Sequence, residues 1–314
     1  MNTQSGAIKL TRQDFLSDCE PKWCPGCGCF SILRSLTSMF AEANIPTHKQ
    51  VIISGIGCSS RMPYYANTYG FHTIHGRAPT VAMGAKLANP DLSVWVVSGD
   101  GDALAIGGNH TMHLLRRNSD VKMLLLNNQI YGLTKGQASP TTPQGLVTKS
   151  SPYGAIDKPI RPILLALAAG ATFVARVHDR DVKLMEKVML EAQHHKGAVF
   201  IEILMNCVTF YDGAYEMVTD KKTRSDHMLE LEHGQPLIYG AEGNKGFINK
   251  NGQLESVIIG EDGITESDIL VHDSHSKNAG LAAQLSLLEF PKSPYPIGIF
   301  RQVNERVYGE VNKK

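Results

Sequence analysis

Short apolar segments rich in branched residues alternate with longer stretches of helical spacing along the first two thirds of this 314-residue chain, and that alternation leaves few folds open. Residues 51–54, 94–98, 123–126, 172–177 and 198–204 read as buried strands. Residues 30–43, 80–88, 103–117 and 181–195 read as helices. The second of these stops at Asn89-Pro90. In the last, Val182, Met185, Met189 and Ala192 share one face ahead of Gly197. Strands and helices in this order predict an α/β fold, a mostly parallel sheet flanked by helices. In such sheets ligands bind beyond the carboxyl ends of the strands.

After about Phe210 the texture changes. Residues 211–234 are polar and charged, like a linker or arm. Residues 236–303 hold strand-like pieces at 256–259, 269–272 and 297–300 and a helix at 278–288. The expectation is a site-bearing domain over 1–210 and a C-terminal arm with a small α+β appendage over 211–314. No internal repeat or low-complexity tract is evident.

Composition excludes some functions. Thirty-one basic and 30 acidic residues leave a net charge of +1, a balance that argues against electrostatic binding of nucleic acid, which needs a basic face, though not against a local anion site. No run of eighteen apolar residues suggests a membrane span, and residues 1–16 lack a basic region followed by an apolar stretch, so a cytoplasmic protein is expected.

The most informative stretch is 94–142. A strand ends in Gly99-Asp100-Gly101, a helix follows, and a second strand ends in Asn127-Asn128 before the loop Gln129 to Gly136. Glycines let the backbone turn sharply and approach a ligand. A helix N-terminus offers free N–H groups to a phosphate. Asp100 and the Asn128 amide oxygen suit a hard cation such as Mg²⁺. A strand–helix–strand unit returns residues far apart in sequence to the same sheet edge. Each turn alone is ordinary punctuation. Together they resemble the thiamine-diphosphate motif, which implies that Asp100 and Asn128 bind Mg²⁺ by their side chains and Ile130 by its carbonyl. A nicotinamide-binding fold fits worse, because no Gly-x-Gly-x-x-Gly opens the first helix.

Six cysteines sit unevenly: Cys19, Cys24, Cys27, Cys29, Cys58 and Cys207. Cys24-Pro25-Gly26-Cys27 supplies two thiols on a tight turn, Cys58 follows Gly55-Ile56-Gly57, and Cys207 follows a strand. Four thiolates suit a zinc ion or a [4Fe–4S] cluster, and spacing alone does not choose between them. One local pair with two distant singles is unusual for structural zinc, and a thiamine site in the same chain gives an electron acceptor a chemical motive. Cys19 and Cys29 read as free thiols, with Cys29 the nearer rival to a ligand.

Trp23 to Gly28, Gly55 to Arg61, His75-Gly76-Arg77-Ala78, Gly99 to Asp102 and residues 127–142 together resemble the β subunit of 2-oxoacid:ferredoxin oxidoreductases. The tail, with Tyr239 to Glu242, Val271-His272-Asp273-Ser274-His275 and Pro296 to Arg301, is similar to the 2-oxoglutarate type. The resemblance implies oxidative decarboxylation of a 2-oxoacid to an acyl-coenzyme A, with electrons passing through a [4Fe–4S] cluster on Cys24, Cys27, Cys58 and Cys207 to ferredoxin. It implies cofactor contacts from Gly99, Asp100, Gly101, Asp102, Asn128, Ile130, Gly132, Leu133, Cys58 and Ser59, and a substrate contact from Lys135, whose other reading is a solvated loop lysine. Arg61 is a second candidate for a distal substrate carboxylate, against a surface ion pair, and His75 for a diphosphate oxygen, against a structural histidine. The glutamate that thiamine enzymes use to activate the aminopyrimidine has no evident source here. An α subunit carrying the pyrimidine-binding module is therefore expected. Two rival readings are a non-redox thiamine decarboxylase subunit, which leaves the cysteines idle, and a zinc-stabilised binding protein, which leaves the Asp100/Asn128 spacing unexplained.

Overall fold

The computed structural model describes residues 9–310. Half of the N-terminal stretch read above for a leader, residues 1–8, and the end of the expected appendage, residues 311–314, lie outside the described residues.

A 3-10 turn, Arg12–Phe15, is followed by α1 (Cys29–Ala43), β1 (Gln50–Ser54), the short α2 (Met62–Tyr65), β2 (Tyr69–His72), α3 (Ala78–Ala88) and β3 (Ser93–Gly99). A π-helical turn, Asp102–Ile106, leads into α4 (Gly108–Arg116), and β4 (Lys122–Asn127) follows. A small hairpin of β5 (Ile130–Tyr131) and β6 (Gln137–Ala138) precedes α5 (Pro162–Ala168), β7 (Phe173–His178), α6 (Val182–His194) and β8 (Val199–Leu204). The rest comprises α7 (Glu216–Thr219), α8 (Arg224–His227), β9 (Met228–Leu231), β10 (Ile238–Tyr239), β11 (Lys245–Lys250), β12 (Gln253–Ile258), α9 (Gly280–Leu287) and β13 (Tyr295–Gln302).

Among the described residues the principal sheet has eight strands in the order β2-β1-β3-β4-β8-β7-β13-β9. From β2 to β7 every pairing is parallel; β13 runs antiparallel to β7 and parallel to β9. The central strands are branched at both parities because both faces are covered. In β3, Val94 and Val96 enter a core shared with residues of α3, α4, α5 and α9, while Trp95 and Val97 enter the core beneath α1 and α6. Leu36, Met39 and Phe40 anchor α1, which ends at Asn44 in the left-handed conformation (φ +50°). The Asp181 carboxylate caps α6 by accepting from the Leu184 N–H at 3.0 Å.

Three expectations need correction. The helix expected over 103–117 is two pieces, the π turn and α4, meeting at Gly107. A side chain on Gly107 would meet the Asp102 carbonyl at 2.5 Å. The strand expected at 269–272 is only an isolated bridge between Val271 and Pro236. The polar stretch 211–234 is not a bare arm but contains α7, α8 and β9. The C-terminal segment forms the three-stranded sheet β10-β11-β12 and α9, and it also supplies β9 and β13 to the main sheet, with Phe247 of β11 packed in the main core. Two elements had no strong signal: β2, exposed along its length, and the seven-residue α5.

Candidate functional site

Neighbouring parallel strands β1, β3, β4 and β8 bring Ser54, Gly99, Asn127 and Leu204 to one edge of the sheet. The loops that follow carry Cys58, Asp100, Asn128 and Cys207. One cavity of about 70 Å³ collects the residues read as cofactor contacts: Cys58, Ser59, His75, Gly99, Asp100, Gly101, Asp102, Asn128, Ile130, Gly132 and Leu133.

Asp100 is 2% exposed. Its Oδ2 accepts from the Ser139 and Thr141 hydroxyls, each at 2.6 Å. Burial outweighs these donors and pushes its carboxyl up to about 6. A buried carboxylate beside an amide oxygen and a carbonyl is an oxygen donor set that fits Mg²⁺. Asn128 Oδ1 accepts the Ile130 N–H at 3.2 Å, so the amide is already oriented by its own loop. Gln129 between them takes φ +57°, which turns the chain sharply after β4. Gly101 is required by close packing, since a Cβ there would stand 2.1 Å from the Tyr131 ring.

Asp102 lines the cavity and also holds its walls together. Its carboxylate accepts the Ile56 N–H at 3.1 Å and the Gly76 N–H at 2.6 Å, and it also engages Ser98 Oγ and His75 Nδ1. It thereby ties the β1–α2 and β2–α3 loops to β3. Gly55 is held so tightly that a Cβ would overlap this carboxylate. His75 reaches the cavity with Nδ1 committed to Asp102, leaving Nε2 for a ligand.

The cysteine loops converge on the same edge. Cys24 and Cys27 sit on a turn closed by the Cys27 N–H donating to the Cys24 carbonyl at 3.0 Å, with Gly26 at φ +82°. Trp23 Nε1 donates to the Cys58 carbonyl at 2.7 Å, joining that turn to the second loop. Asp179 packs against Gly28 and accepts the Asn206 N–H at 3.1 Å, joining it to the segment before Cys207. Burial first, and then the neighbouring Cys27, Cys207 and Cys24 thiols, push Cys58 up to about 11. Buried Cys29 hydrogen-bonds Cys27 and lowers its pKa, while Cys19 is exposed. A Cβ on Gly132 would lie 3.5 Å from Cys207 Sγ and 3.8 Å from Cys58 Sγ, so the absent side chain leaves room between these thiols. Among the described residues no three His, Cys, Asp or Glu side chains converge tightly enough for a single metal ion.

Lys135 and Arg61 lie apart from the cavity lining. Lys135 is exposed at the β5–β6 turn with φ +77°, and exposed Arg61 hydrogen-bonds Tyr65, which raises its pKa. Sequence reasoning gave no role to Ser139, Thr141, Asn127, Glu202 or Tyr131. Only Asn127 carried a signal, as the first half of Asn-Asn.

Residues 55–203 match the family model described as the thiamine pyrophosphate enzyme C-terminal TPP binding domain. Over 98% of its length the chain is 46% identical to the 2-oxoglutarate oxidoreductase subunit KorB of Mycobacterium tuberculosis, covering 83% of that protein. It is 50% identical, over 60% of each chain, to the 2-oxoacid:ferredoxin oxidoreductase 1 subunit beta of Aeropyrum pernix. A solved structure, 2-oxoglutarate:ferredoxin oxidoreductase from Magnetococcus marinus with 2-oxoglutarate, coenzyme A and succinyl-CoA bound, is similar over 97% of this chain and 89% of that chain. The TM-score is 0.78 and the identity 32%.

Proposed function

Since the chain belongs to the 2-oxoacid:ferredoxin oxidoreductase β subunits, we propose that it binds Mg²⁺–thiamine diphosphate and a [4Fe–4S] cluster and oxidises 2-oxoglutarate to succinyl-coenzyme A and CO₂ for ferredoxin. The observation that carries this reading is a shared wall: Asp100, Asn128, Gly132 and Cys58 line one cavity, and Cys207 stands within 4 Å of where a Gly132 side chain would begin. When bound, thiamine diphosphate supplies the electron sink for decarboxylation and the cluster a one-electron outlet.

The chain's own residues do the holding. Asp100, Asn128 and the Ile130 carbonyl hold the magnesium ion. Gly99 and Gly101 let the backbone approach the diphosphate, and His75, fixed by Asp102, offers Nε2 to it. Ser59 and Leu133 complete the cofactor contact. Cys24, Cys27, Cys58 and Cys207 hold the cluster. Lys135 and Arg61, both exposed, are the cations for the substrate carboxylates.

A cavity of about 70 Å³ is far below the roughly 300–1,000 Å³ that encloses a cofactor-sized ligand. Exposed apolar residues stand near it: Ile74 at 75%, Ile106 at 53%, Leu133 at 50%, with Tyr69 and Phe71 on the uncovered strand β2. Both features support an α subunit that completes the site from outside.

The test is anaerobic co-purification with the α subunit, followed by iron analysis, electron paramagnetic resonance and 2-oxoglutarate-dependent reduction of ferredoxin. About four iron atoms per β chain are expected, with a reduced-cluster signal lost in Cys58→Ala and Cys207→Ala and turnover that requires coenzyme A. Zinc instead of iron, or decarboxylation that ignores ferredoxin, would overturn the reading.

A further inference from the structure

Glu202 lies in β8, is fully buried and does not line the cofactor cavity. We propose that it is a positioning residue for the metal loop, acting through Asn127; the proposal rests on the thiamine reading above. An ionised carboxylate only accepts hydrogen bonds. Arg176 Nε donates to Glu202 Oε2 at 2.7 Å, and Asn127 Nδ2 donates to Oε1 at 2.7 Å. The Asn127 amide is thereby held one way round, nitrogen toward Glu202 and oxygen toward the loop.

That oxygen accepts the Gln129 N–H at 3.1 Å and the Thr141 hydroxyl at 2.9 Å. Gln129 is the left-handed residue between Asn128 and Ile130, and its carbonyl is held in turn by Thr142 Oγ1 at 2.7 Å. The single Thr141 proton is shared between the Asn127 oxygen and Asp100 Oδ2, which lies 2.6 Å from the hydroxyl. The two halves of the metal site, one after β3 and one after β4, are thus joined through Asn127, and Glu202 dictates which way its amide faces. Outer partners of this kind fix ligand orientation, and their loss typically weakens metal binding about 10–100-fold.

The test is Mn²⁺ binding, read by electron paramagnetic resonance, to the assembled αβ enzyme with thiamine diphosphate. Glu202→Gln presents an amide donor to Asn127, turns that amide over and aims two donors at each other around Gln129. It should weaken Mn²⁺ binding about 10–100-fold with iron content unchanged. Adding Asn127→Asp restores an acceptor opposite the new donor and should return the affinity to near the parent value, whereas Asn127→Asp alone sets two carboxylates together and should not. Should Glu202→Gln fail to fold, Asn127→Ala leaves the Arg176–Glu202 pair intact and must show the same loss. Parent-like affinity in Glu202→Gln or Asn127→Ala, or a double variant that recovers melting temperature but not Mn²⁺ binding, would overturn the proposal. Failure of the unaltered complex to bind Mn²⁺ with thiamine diphosphate is a separate result. It would remove the thiamine reading, and the positioning role with it.

Discussion

At the scale of single residues, Asp100 carries an energetic conflict that a bound cation would resolve. Its folded pKa of about 6 lies above the ordinary value of 3.8, so between those two pH values the folded chain binds the proton and the unfolded chain does not. Stability without metal therefore falls as pH rises through this window, by roughly 1–3 kcal/mol once the carboxylate is fully ionised. Asp100→Asn should raise the melting temperature of the metal-free protein at pH 7.5 and abolish the further rise that Mg²⁺ with thiamine diphosphate gives the parent. In the parent, Mg²⁺ affinity should decline as pH drops below about 6, where protons compete for the same oxygens. Gly132→Val tests the neighbouring space: its backbone needs no left-handed conformation, so the fold should survive by circular dichroism while iron per chain falls sharply. Asp100 and Asn128 were legible because their spacing spans one strand–helix–strand return. Ser139 and Thr141 were not, since hydroxyls in a polar loop carry no pattern and reach Asp100 only through the tertiary fold. Asp102 sits in the same motif yet spends its carboxylate on the Ile56 and Gly76 amides, a distinction that spacing does not encode.

Among elements, the five buried strands were legible because a sheet covered on both faces needs branched apolar residues at every position. Strand β2 escaped notice for the opposite reason: all four residues are exposed, and only pairing with β1 makes it a strand. The break between the π turn and α4 was hidden because Gly107 and Gly108 look like tolerated helix glycines, whereas Gly107 is pressed against Asp102 and Gly76. A π turn beside a ligand site is a recurrent device, and here it begins at the residue that clamps two loops. The Arg176–Glu202 pair couples β7 to β8, with the guanidinium carbon 4.4 Å from the centre of the Tyr295 ring of β13. Arg176→Met leaves a buried charge unpaired and should cost about 3–5 kcal/mol in denaturant unfolding. Arg176→Met with Glu202→Leu should regain much of that stability, because an apolar pair removes the stranded charge.

For the whole molecule, the polar stretch after Phe210 suggested a boundary that the sheet crosses. The polarity is real, but α7, α8 and β9 use it on an outer surface while Met228, Leu229 and Leu231 turn inward. A protein ended at residue 210 should therefore be insoluble or aggregated by size exclusion, not a folded cofactor domain. It would lose β9 and β13 and the core residues Leu229, Phe247 and Phe300. Inserting β13 beside β7 also has a consequence for biosynthesis. The first 204 residues can assemble their parallel strands as they leave the ribosome, yet β7 keeps an unpaired edge until β13 emerges more than a hundred residues later. At roughly 5–20 residues per second that edge stays open on the order of ten seconds. Throughout that interval the nascent subunit can pair with other chains, so the last-made strand sets how long each new molecule depends on chaperone cover.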